Sequence, residues 1–92
     1  MYEIIPSRRF GRSYKKLKRS GRFDSELLRS VLELLKEGAP LPVRYQDHLL
    51  AGEYKGCHEC HIKGDVLLIY TQEESLLEVI LVDIGSHSDL FG

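Results

Sequence analysis

A glycine and two prolines, Gly38, Pro40 and Pro42, divide the 92-residue chain into halves with different hydrophobic periodicities. Glycine commonly ends a helix and proline cannot continue one, so no helix is expected to cross this segment. Before it, apolar residues recur at helical spacing. After it, they form β-branched runs separated by turn signals. Helices followed by adjacent strands are typical of an α+β fold with an antiparallel sheet.

Two helices are predicted before this division. Ser7 is suited to cap a helix over residues 8–20, which Gly21 would end. Asp24 or Ser25 can cap a second, leucine-rich helix that ends at the dividing glycine. Because the turn between the helices is short, they are expected to form an antiparallel hairpin.

About four strands are predicted to form the sheet on which this hairpin packs. Their expected spans are residues 2–5, 53–62, 66–71 and 76–84. Lys63, Gly64 and Asp65 form a turn signal between two of them. Ser86 can cap one helical turn in the tail after the last strand.

The length predicts one domain over residues 1–92, with one modest hydrophobic core. The chain is 42% hydrophobic and 29% charged, as is typical of a globular domain. No stretch approaches the roughly 18 apolar residues of a membrane span, and the N-terminus lacks a signal-peptide pattern. We therefore expect a cytoplasmic protein with no membrane association.

The formal net charge of -1 conceals two segments of opposite charge. Residues 1–22 contain eight basic residues and one acidic residue, a net charge of +7. Residues 23–92 contain five basic and 13 acidic residues, a net charge of -8. A concentrated basic segment indicates a polyanionic partner, and its binding would weaken as salt increases. The alternative is a solvated helix face, but the density of bases favours RNA.

All four histidines lie in the second half of the chain, namely His48, His58, His61 and His87. Histidine titrates near neutral pH, so a pair can serve as general base and general acid. RNA cleavage without a metal needs a base for the ribose 2′-hydroxyl, an acid for the 5′-oxygen and a cation near the phosphate. Spacing alone leaves open the alternative of scattered surface histidines.

The segment from Cys57 to His61 matches C-x-x-C-H, the pattern of c-type haem attachment, and is rich in metal-ligand types. Strand alternation puts Cys57, Glu59 and His61 on one face and His58 and Cys60 on the other, so they cannot share one ion. No second motif completes a zinc site, and haem attachment belongs to exported proteins. We expect two free thiols, no haem, no metal and no cofactor.

The second half closely resembles the YafQ-type toxins of the RelE superfamily in order and spacing over residues 41–92. The matching elements are Tyr45-Gln46-Asp47-His48-Leu49-Leu50-Ala51-Gly52, Lys55-Gly56, His61-Ile62 with Asp65, Leu67-Leu68-Ile69-Tyr70, and Gly85-Ser86-His87-Ser88-Asp89-Leu90-Phe91-Gly92. The first half matches only in its architecture, a basic helix followed by a leucine-rich one. The elements are specific in combination, and none would suffice alone.

This resemblance implies two helices on an antiparallel sheet, ribosome-dependent cleavage of mRNA in the decoding site, and inhibition by a cognate antitoxin. The residues that match the family's catalytic set are His48, His61, Asp65 and His87. Phe91 matches its substrate-positioning aromatic residue, and His58 and Lys55 are further substrate-binding candidates. Candidates for ribosomal RNA binding are Lys15, Lys16, Lys18 and Arg19.

We assign His87 as the general acid, with the other three catalytic candidates positioning and deprotonating the 2′-hydroxyl and compensating phosphate charge. The sequence departs from the family at His58, Gly64 and Val66, where arginine, proline and tryptophan are common. Losing an arginine removes a permanently charged phosphate clamp. Alternation also places His58 opposite His61.

Two other functions remain open on the sequence alone. One is a gyrase-targeting relative of the same superfamily, but such relatives lack the histidine and acid set. The other is a non-catalytic member that binds RNA or a protein. The retained catalytic-type histidines favour the endoribonuclease.

Overall fold

The computed structural model describes residues 1–21 and 23–92, so Arg22, one of the bases of the first segment, lies outside the described residues. In chain order the elements are β1 (Glu3–Pro6), α1 (Arg8–Arg19), α2 (Ser25–Glu37), β2 (His48–Leu49), β3 (His58–Lys63), β4 (Val66–Glu73), β5 (Glu78–Gly85) and α3 (His87–Phe91). Single 3-10 turns, Val43–Tyr45 and Gly52–Tyr54, precede and follow β2.

The predicted α+β class is confirmed, but the sheet is larger and less uniform than predicted. It has five strands in the order β1-β5-β4-β3-β2, and β1 runs parallel to β5 while the other pairs are antiparallel. The parallel pair arises because both helices separate β1 from the later strands, so no tight turn forces it to reverse. The strand missed by prediction, β2, has only two residues, both exposed, and therefore no alternation to detect.

The strand predicted over residues 53–62 is wrong in its first half. Residues 52–54 form a 3-10 turn, and β3 begins only at His58. Gly56 has a φ of 92°, a left-handed conformation that interrupts an extended strand. The N–H of Cys57 donates to the carbonyl of Tyr54 at 2.9 Å, which closes the turn.

The predicted helix ends are confirmed. The Ser7 side chain accepts from the N–H of Phe10, and the Asp24 side chain accepts from the N–H of Glu26. Gly38 ends α2 with a φ of 78°, the left-handed conformation common after a helix. The short tail helix α3 is capped by Ser86, as expected.

The two long helices follow each other through a short connection and cover the same face of the sheet, but each packs mainly on strands. Helix α1 packs along β5, and α2 packs on β1 and β3. An open groove of about 380 Å³ lies between them, with Phe10, Tyr14, Leu28 and Leu32 among its lining residues.

The face under α1 and α2, here the helix face, carries the main core. Its buried strand residues are Cys60, Ile62, Leu68, Tyr70, Val79, Leu81 and Ile84. The opposite face, here the histidine face, holds a smaller cluster of Tyr54, Leu67, Ile69 and Leu90. Leu90 belongs to α3, so the tail helix packs on the histidine face.

A register shift in β5 changes which side chains reach the histidine face. Tyr70 pairs with Leu81 and Ile69 pairs with Asp83, which leaves Val82 as an extra residue. Simple alternation would put Asp83 on the same face as Leu81. The bulge instead places Asp83 beside Ile69 on the histidine face.

No helix within the described ranges, 1–21 and 23–92, is long and apolar enough to cross a membrane.

We expect Gly38→Ala to destabilise the fold more than Gly21→Ala. Both glycines follow a helix with positive φ, 78° and 70°, so both substitutions incur a left-handed penalty of about 1–2 kcal/mol. A Cβ at Gly38 would lie 2.6 Å from Cε1 of Tyr2, whereas a Cβ at Gly21 meets nothing within 4 Å. Urea unfolding of both variants gives the comparison. Equal losses in unfolding free energy would contradict the packing of Tyr2 on the end of α2.

Candidate active site

A buried carboxylate, Glu59, lies between two of the predicted catalytic histidines. Glu59 is only 4% exposed and pairs with His48 across the β2–β3 ladder. Its Oε1 lies 3.5 Å from Nε2 of His48 and 3.7 Å from Nε2 of His61. The Nδ1–H of His48 donates to the carbonyl of Gln46 at 2.8 Å, which turns Nε2 toward the carboxylate. Glu59 is therefore placed to compensate positive charge on either ring when that ring is protonated.

The other two predicted catalytic residues meet at the start of α3. The backbone N–H of His87 donates to Oδ1 of Asp65 at 3.3 Å, so Asp65 ties the first residue of α3 to the β3–β4 turn. Ser86 and Asp89 form a reciprocal capping box at the same helix end. The bonds from Ser86 lower the pKa of Asp89, so this cap weakens as the pH falls through that lowered pKa.

Aromatic contacts support the side chains of α3. The rings of His87 and Phe91 lie one helical turn apart, with centroids separated by 5.1 Å. Phe91 also meets Tyr54 edge-to-face at 5.7 Å, and it remains 42% exposed. Phe91 is thus anchored on one side and available on the other. Lys55 follows Tyr54 in an exposed loop beside this cluster.

These residues form two groups on one face of the sheet. The Glu59 group consists of His48, Glu59 and His61, and the tail group consists of Asp65, His87, Phe91 and Tyr54. Strand pairing relates them, since His61 pairs with Leu67 and Leu67 pairs with Gly85. Two strand spacings separate the groups, roughly 10 Å. The histidine face therefore brings together the four predicted catalytic residues and Phe91.

His58 does not join these groups. Its ring stacks on Tyr70 of the helix-face core, with centroids 5.0 Å apart, and its Nδ1 lies 3.4 Å from Oδ2 of Asp47. The Tyr70 hydroxyl donates to Oδ1 of Asp47 at 2.6 Å. Burial, with that bond in addition, raises the pKa of Tyr70 far above its ordinary range. His58 thus belongs to a structural network on the face opposite His61, as alternation predicted.

An arginine of α1 also reaches the histidine face. Nε of Arg9 donates to Oδ2 of Asp83 at 2.8 Å, and Nη2 donates to the Tyr54 hydroxyl. Burial lowers the pKa of Arg9, but the charge of Asp83 and the contact with Tyr54 outweigh this and raise it overall. Asp83 is 4% exposed, and its Oδ1 accepts the N–H of Ile84 at 2.8 Å. The carboxylate is therefore held on both oxygens.

The candidate RNA-binding bases, Lys15, Lys16, Lys18 and Arg19, are all exposed on the second half of α1. Nζ of Lys18 lies 5.7 Å from the centre of the Tyr14 ring. Lys16 helps to line an open pocket of about 280 Å³ that also includes Asp83, Asp89 and Leu90. The basic helix therefore lies directly beside α3 and the tail group.

The two cysteines lie on opposite faces, as alternation predicted. Cys60 is fully buried in the helix-face core, and Cys57 packs at the edge of the histidine-face cluster. Burial raises the pKa of the Cys60 thiol to about 12, with Asp47 and Glu59 adding to the effect. Within residues 1–21 and 23–92, no group of three or more histidine, cysteine or acidic side chains has an arrangement that could hold a metal ion.

Only Cys57 should react with iodoacetamide in the folded protein. The thiolate is the reactive form, and Cys60 is both buried and held protonated near neutral pH, whereas Cys57 is partly exposed. Mass spectrometry of the native protein should show one modification. The Cys57→Ser variant should show none until it is unfolded. Fast labelling of Cys60 in native Cys57→Ser would contradict the placement of β3.

Four residues of this face were not among the predicted site residues: Glu59, Tyr54, Arg9 and Asp83. Glu59 shares its strand face with His61, so an acidic residue that alternation places beside His61 was a usable signal. Arg9 is one of many bases on α1, and nothing in the sequence distinguishes it. Asp83 reaches this face only because of the bulge in β5.

The fold and the site define a small α+β protein with catalytic-type side chains on the open face of its sheet. The model of the family "Bacterial toxin of type II toxin-antitoxin system, YafQ" matches residues 2–92. The chain belongs to this family.

Individual relatives agree with this assignment. The mRNA interferase toxin YafQ of Escherichia coli (strain K12) is 39% identical over 59 residues, 64% of this chain and 62% of that protein. The curated relatives are matched over only part of their lengths, 40% to 62%.

Two solved structures match over nearly their whole length. A metal-bound toxin from Helicobacter pylori has a TM-score of 0.90 and 41% identity, covering 99% of this chain and 100% of that one. YafQ in the E. coli DinJ-YafQ complex has a TM-score of 0.84 and 29% identity, covering 100% of both chains.

Proposed function

We propose that this protein is an endoribonuclease that cleaves mRNA in the ribosomal decoding site by acid–base chemistry. The observation that carries the proposal is the convergence of His48, His61, Asp65 and His87 on one open face of the sheet. The E. coli relative is named an mRNA interferase toxin, which supports the same activity here.

The reaction is a transesterification within the RNA. The ribose 2′-oxygen attacks the adjacent phosphorus, the bond from phosphorus to the 5′-oxygen breaks, and a 2′,3′-cyclic phosphate and a 5′-hydroxyl result. The Glu59 group supplies the base, because Nδ1 of His61 can accept the 2′-hydroxyl proton while Glu59, beside Nε2 of that ring, stabilises the resulting cation. His48 has a positioning role in this scheme, since its Nδ1 is bonded to the Gln46 carbonyl and its Nε2 faces Glu59. His87 donates a proton to the leaving 5′-oxygen. Phe91 offers its exposed face for stacking on a base, and Lys55 is a further candidate for substrate binding.

Asp65 has a positioning role in this scheme. Its carboxylate accepts the backbone N–H of His87, so it fixes where α3 begins. The position of the His87 backbone, and therefore the reach of its ring toward the leaving oxygen, depends on this bond.

His87→Ala should slow cleavage by about 10²- to 10⁴-fold, the usual contribution of a general acid. The measurement is single-turnover cleavage of a defined mRNA on saturating programmed ribosomes. Ser88→Ala is the matched control, since Ser88 neighbours His87 in α3 and is exposed. It should retain nearly full activity.

Two results would contradict this assignment. Full cleavage by His87→Ala would remove the general-acid role. An absence of cleavage by the wild-type protein on several codons, with ribosome binding intact, would instead favour the alternative of a non-catalytic RNA- or protein-binding module.

We further propose that Lys15, Lys16, Lys18 and Arg19 bind ribosomal RNA through its phosphates. They are exposed, they lie within two turns of one helix, and that helix adjoins the tail group. Such contacts are independent of sequence and position the protein on the ribosome.

The double variant Lys15→Gln/Lys18→Gln should bind ribosomes more weakly, and its remaining binding should be less sensitive to salt. The log–log salt slope should fall by about one for each phosphate that the protein no longer neutralises. Lys36→Gln and Lys63→Gln, which remove two charges elsewhere, provide the control. An unchanged slope would exclude these two lysines from RNA binding.

The same basic surface suits an acidic segment of a cognate antitoxin, which we propose as the inhibitory partner in a cytoplasmic toxin–antitoxin pair. The support is the solved DinJ-YafQ complex of E. coli, whose YafQ chain shares this fold. Coupled folding of a disordered segment over a charged surface is a common mode of such inhibition.

A further inference from the structure

The candidate site contains a base, an acid and an aromatic residue, but none of its four predicted catalytic residues is a permanent cation. Attack of the 2′-oxygen builds negative charge on the phosphate oxygens, and a fixed donor there accelerates the reaction. The arginine common in the family at position 58 cannot be the missing group here. That position lies on the helix face, where His58 stacks on Tyr70.

We infer that Arg9 supplies the phosphate-binding cation of this site, an inference that rests on the proposed ribonuclease function. Among residues 1–21 and 23–92, Arg9 is an arginine whose guanidinium lies on the histidine face, where it contacts Asp83 and Tyr54. Glu59, Ile69 and Asp83 are consecutive partners across β3, β4 and β5. The backbone of Asp83, the residue that holds the guanidinium, therefore lies about two strand spacings from that of Glu59, roughly 10 Å.

Tyr54 connects this cation to the helix that carries His87. Its hydroxyl accepts from Nη2 of Arg9 and lies 3.5 Å from the carbonyl of Leu90. Its ring meets Phe91, which in turn contacts His87. Movement of the guanidinium relative to the general acid is thus restricted by one shared tyrosine.

The arrangement leaves part of the guanidinium available to a ligand. The Arg9 side chain is 48% exposed, whereas its partner Asp83 is 6% exposed. Asp83 binds Nε and Tyr54 binds Nη2, and within residues 1–21 and 23–92 no partner of Nη1 is found. A planar guanidinium held on two sides can donate from its remaining nitrogen without losing its orientation.

The start of α1 is fixed firmly enough for this role. The N–H of Ser7 donates to the carbonyl of Leu81 at 3.0 Å, and its hydroxyl donates to the carbonyl of Val82 at 2.9 Å. Both bonds attach the N-terminus of α1 to the bulge in β5. The bulge therefore positions both Asp83 and the helix turn that carries Arg9.

The test compares Asp83→Asn with the double variant Arg9→Gln/Asp83→Asn, because neither leaves a buried carboxylate without its partner. On saturating programmed ribosomes, the double variant should cleave about 100-fold more slowly than Asp83→Asn, with similar ribosome affinity. Guanidinium ion at non-denaturing concentration should restore part of the rate to Arg9→Ala/Asp83→Asn but none to His87→Ala. Arg8→Gln, which removes a neighbouring charge from α1, should cleave as the wild type does.

Each other outcome overturns the inference. Equal rates for the double variant and Asp83→Asn, with the wild type active and His87→Ala inactive, would leave the ribonuclease in place and exclude Arg9. Loss of ribosome affinity with an unchanged saturated rate would assign Arg9 to docking. No cleavage by the wild type would overturn the proposed function and this inference together.

If the double variant does not fold, NMR of the wild-type protein tests whether Arg9 binds phosphate. Inorganic phosphate should then shift the guanidinium resonances of Arg9 more than those of Arg8. Equal or absent shifts would overturn the inference.

Discussion

Burial of Leu90 against Leu67 and Ile69 is the contact on which the tail group, and with it the pairing of the two halves of the candidate site, depends. Without it, α3 would be a five-residue segment with one capping box, too short to hold a helix in water by itself. With it, α3 packs on β4, and this packing fixes the position of His87 and Phe91 relative to the sheet. The bond from Asp65 and the edge contact of Tyr54 then fix the two ends of this helix.

The two faces of the sheet have different roles: one holds most of the hydrophobic core, and the other holds the candidate site. The helix face buries most of the core residues beneath α1 and α2. The histidine face buries a smaller cluster and keeps two acidic residues, Glu59 and Asp83, each beside basic partners. A buried carboxylate is costly unless it is paired or hydrogen-bonded, so each of these acids requires its partners to remain in place. The charges that make the face useful for RNA chemistry therefore also restrict its geometry.

Much of the fold was predictable because its signals are local. Helix caps at Ser7 and Asp24, the glycine at the end of α2 and the tail cap at Ser86 each depend on a few neighbouring residues. The opposite orientation of Cys57 and Cys60 followed from strand alternation. The predicted catalytic residues came instead from the family resemblance, because four histidines scattered along a chain do not define a site.

Most of the errors arise from long-range pairing, and the exception is the local turn at Gly52–Tyr54 that was predicted as part of a strand. The parallel pairing of β1 with β5 joins residues that are far apart in the sequence. Strand β2 has too few residues to show an alternating pattern. The bulge that brings Asp83 to the histidine face breaks the alternation on which strand prediction relies. Arg9 could not be distinguished from the other bases of α1 until that bulge was visible. Apart from that turn, prediction from sequence therefore worked where neighbours along the chain decide the structure and failed where neighbours across the sheet decide it.

The most direct measurement of the central claim uses a programmed mRNA with a single 2′-deoxy nucleotide on the 5′ side of the cleaved bond. If the histidine face performs acid–base transesterification, cleavage of this bond should stop, and the all-ribose RNA should yield a 2′,3′-cyclic or 3′-phosphate and a 5′-hydroxyl. Cleavage of the 2′-deoxy RNA that leaves a 5′-phosphate would contradict the account, because an activated water and not the 2′-hydroxyl would then be the nucleophile.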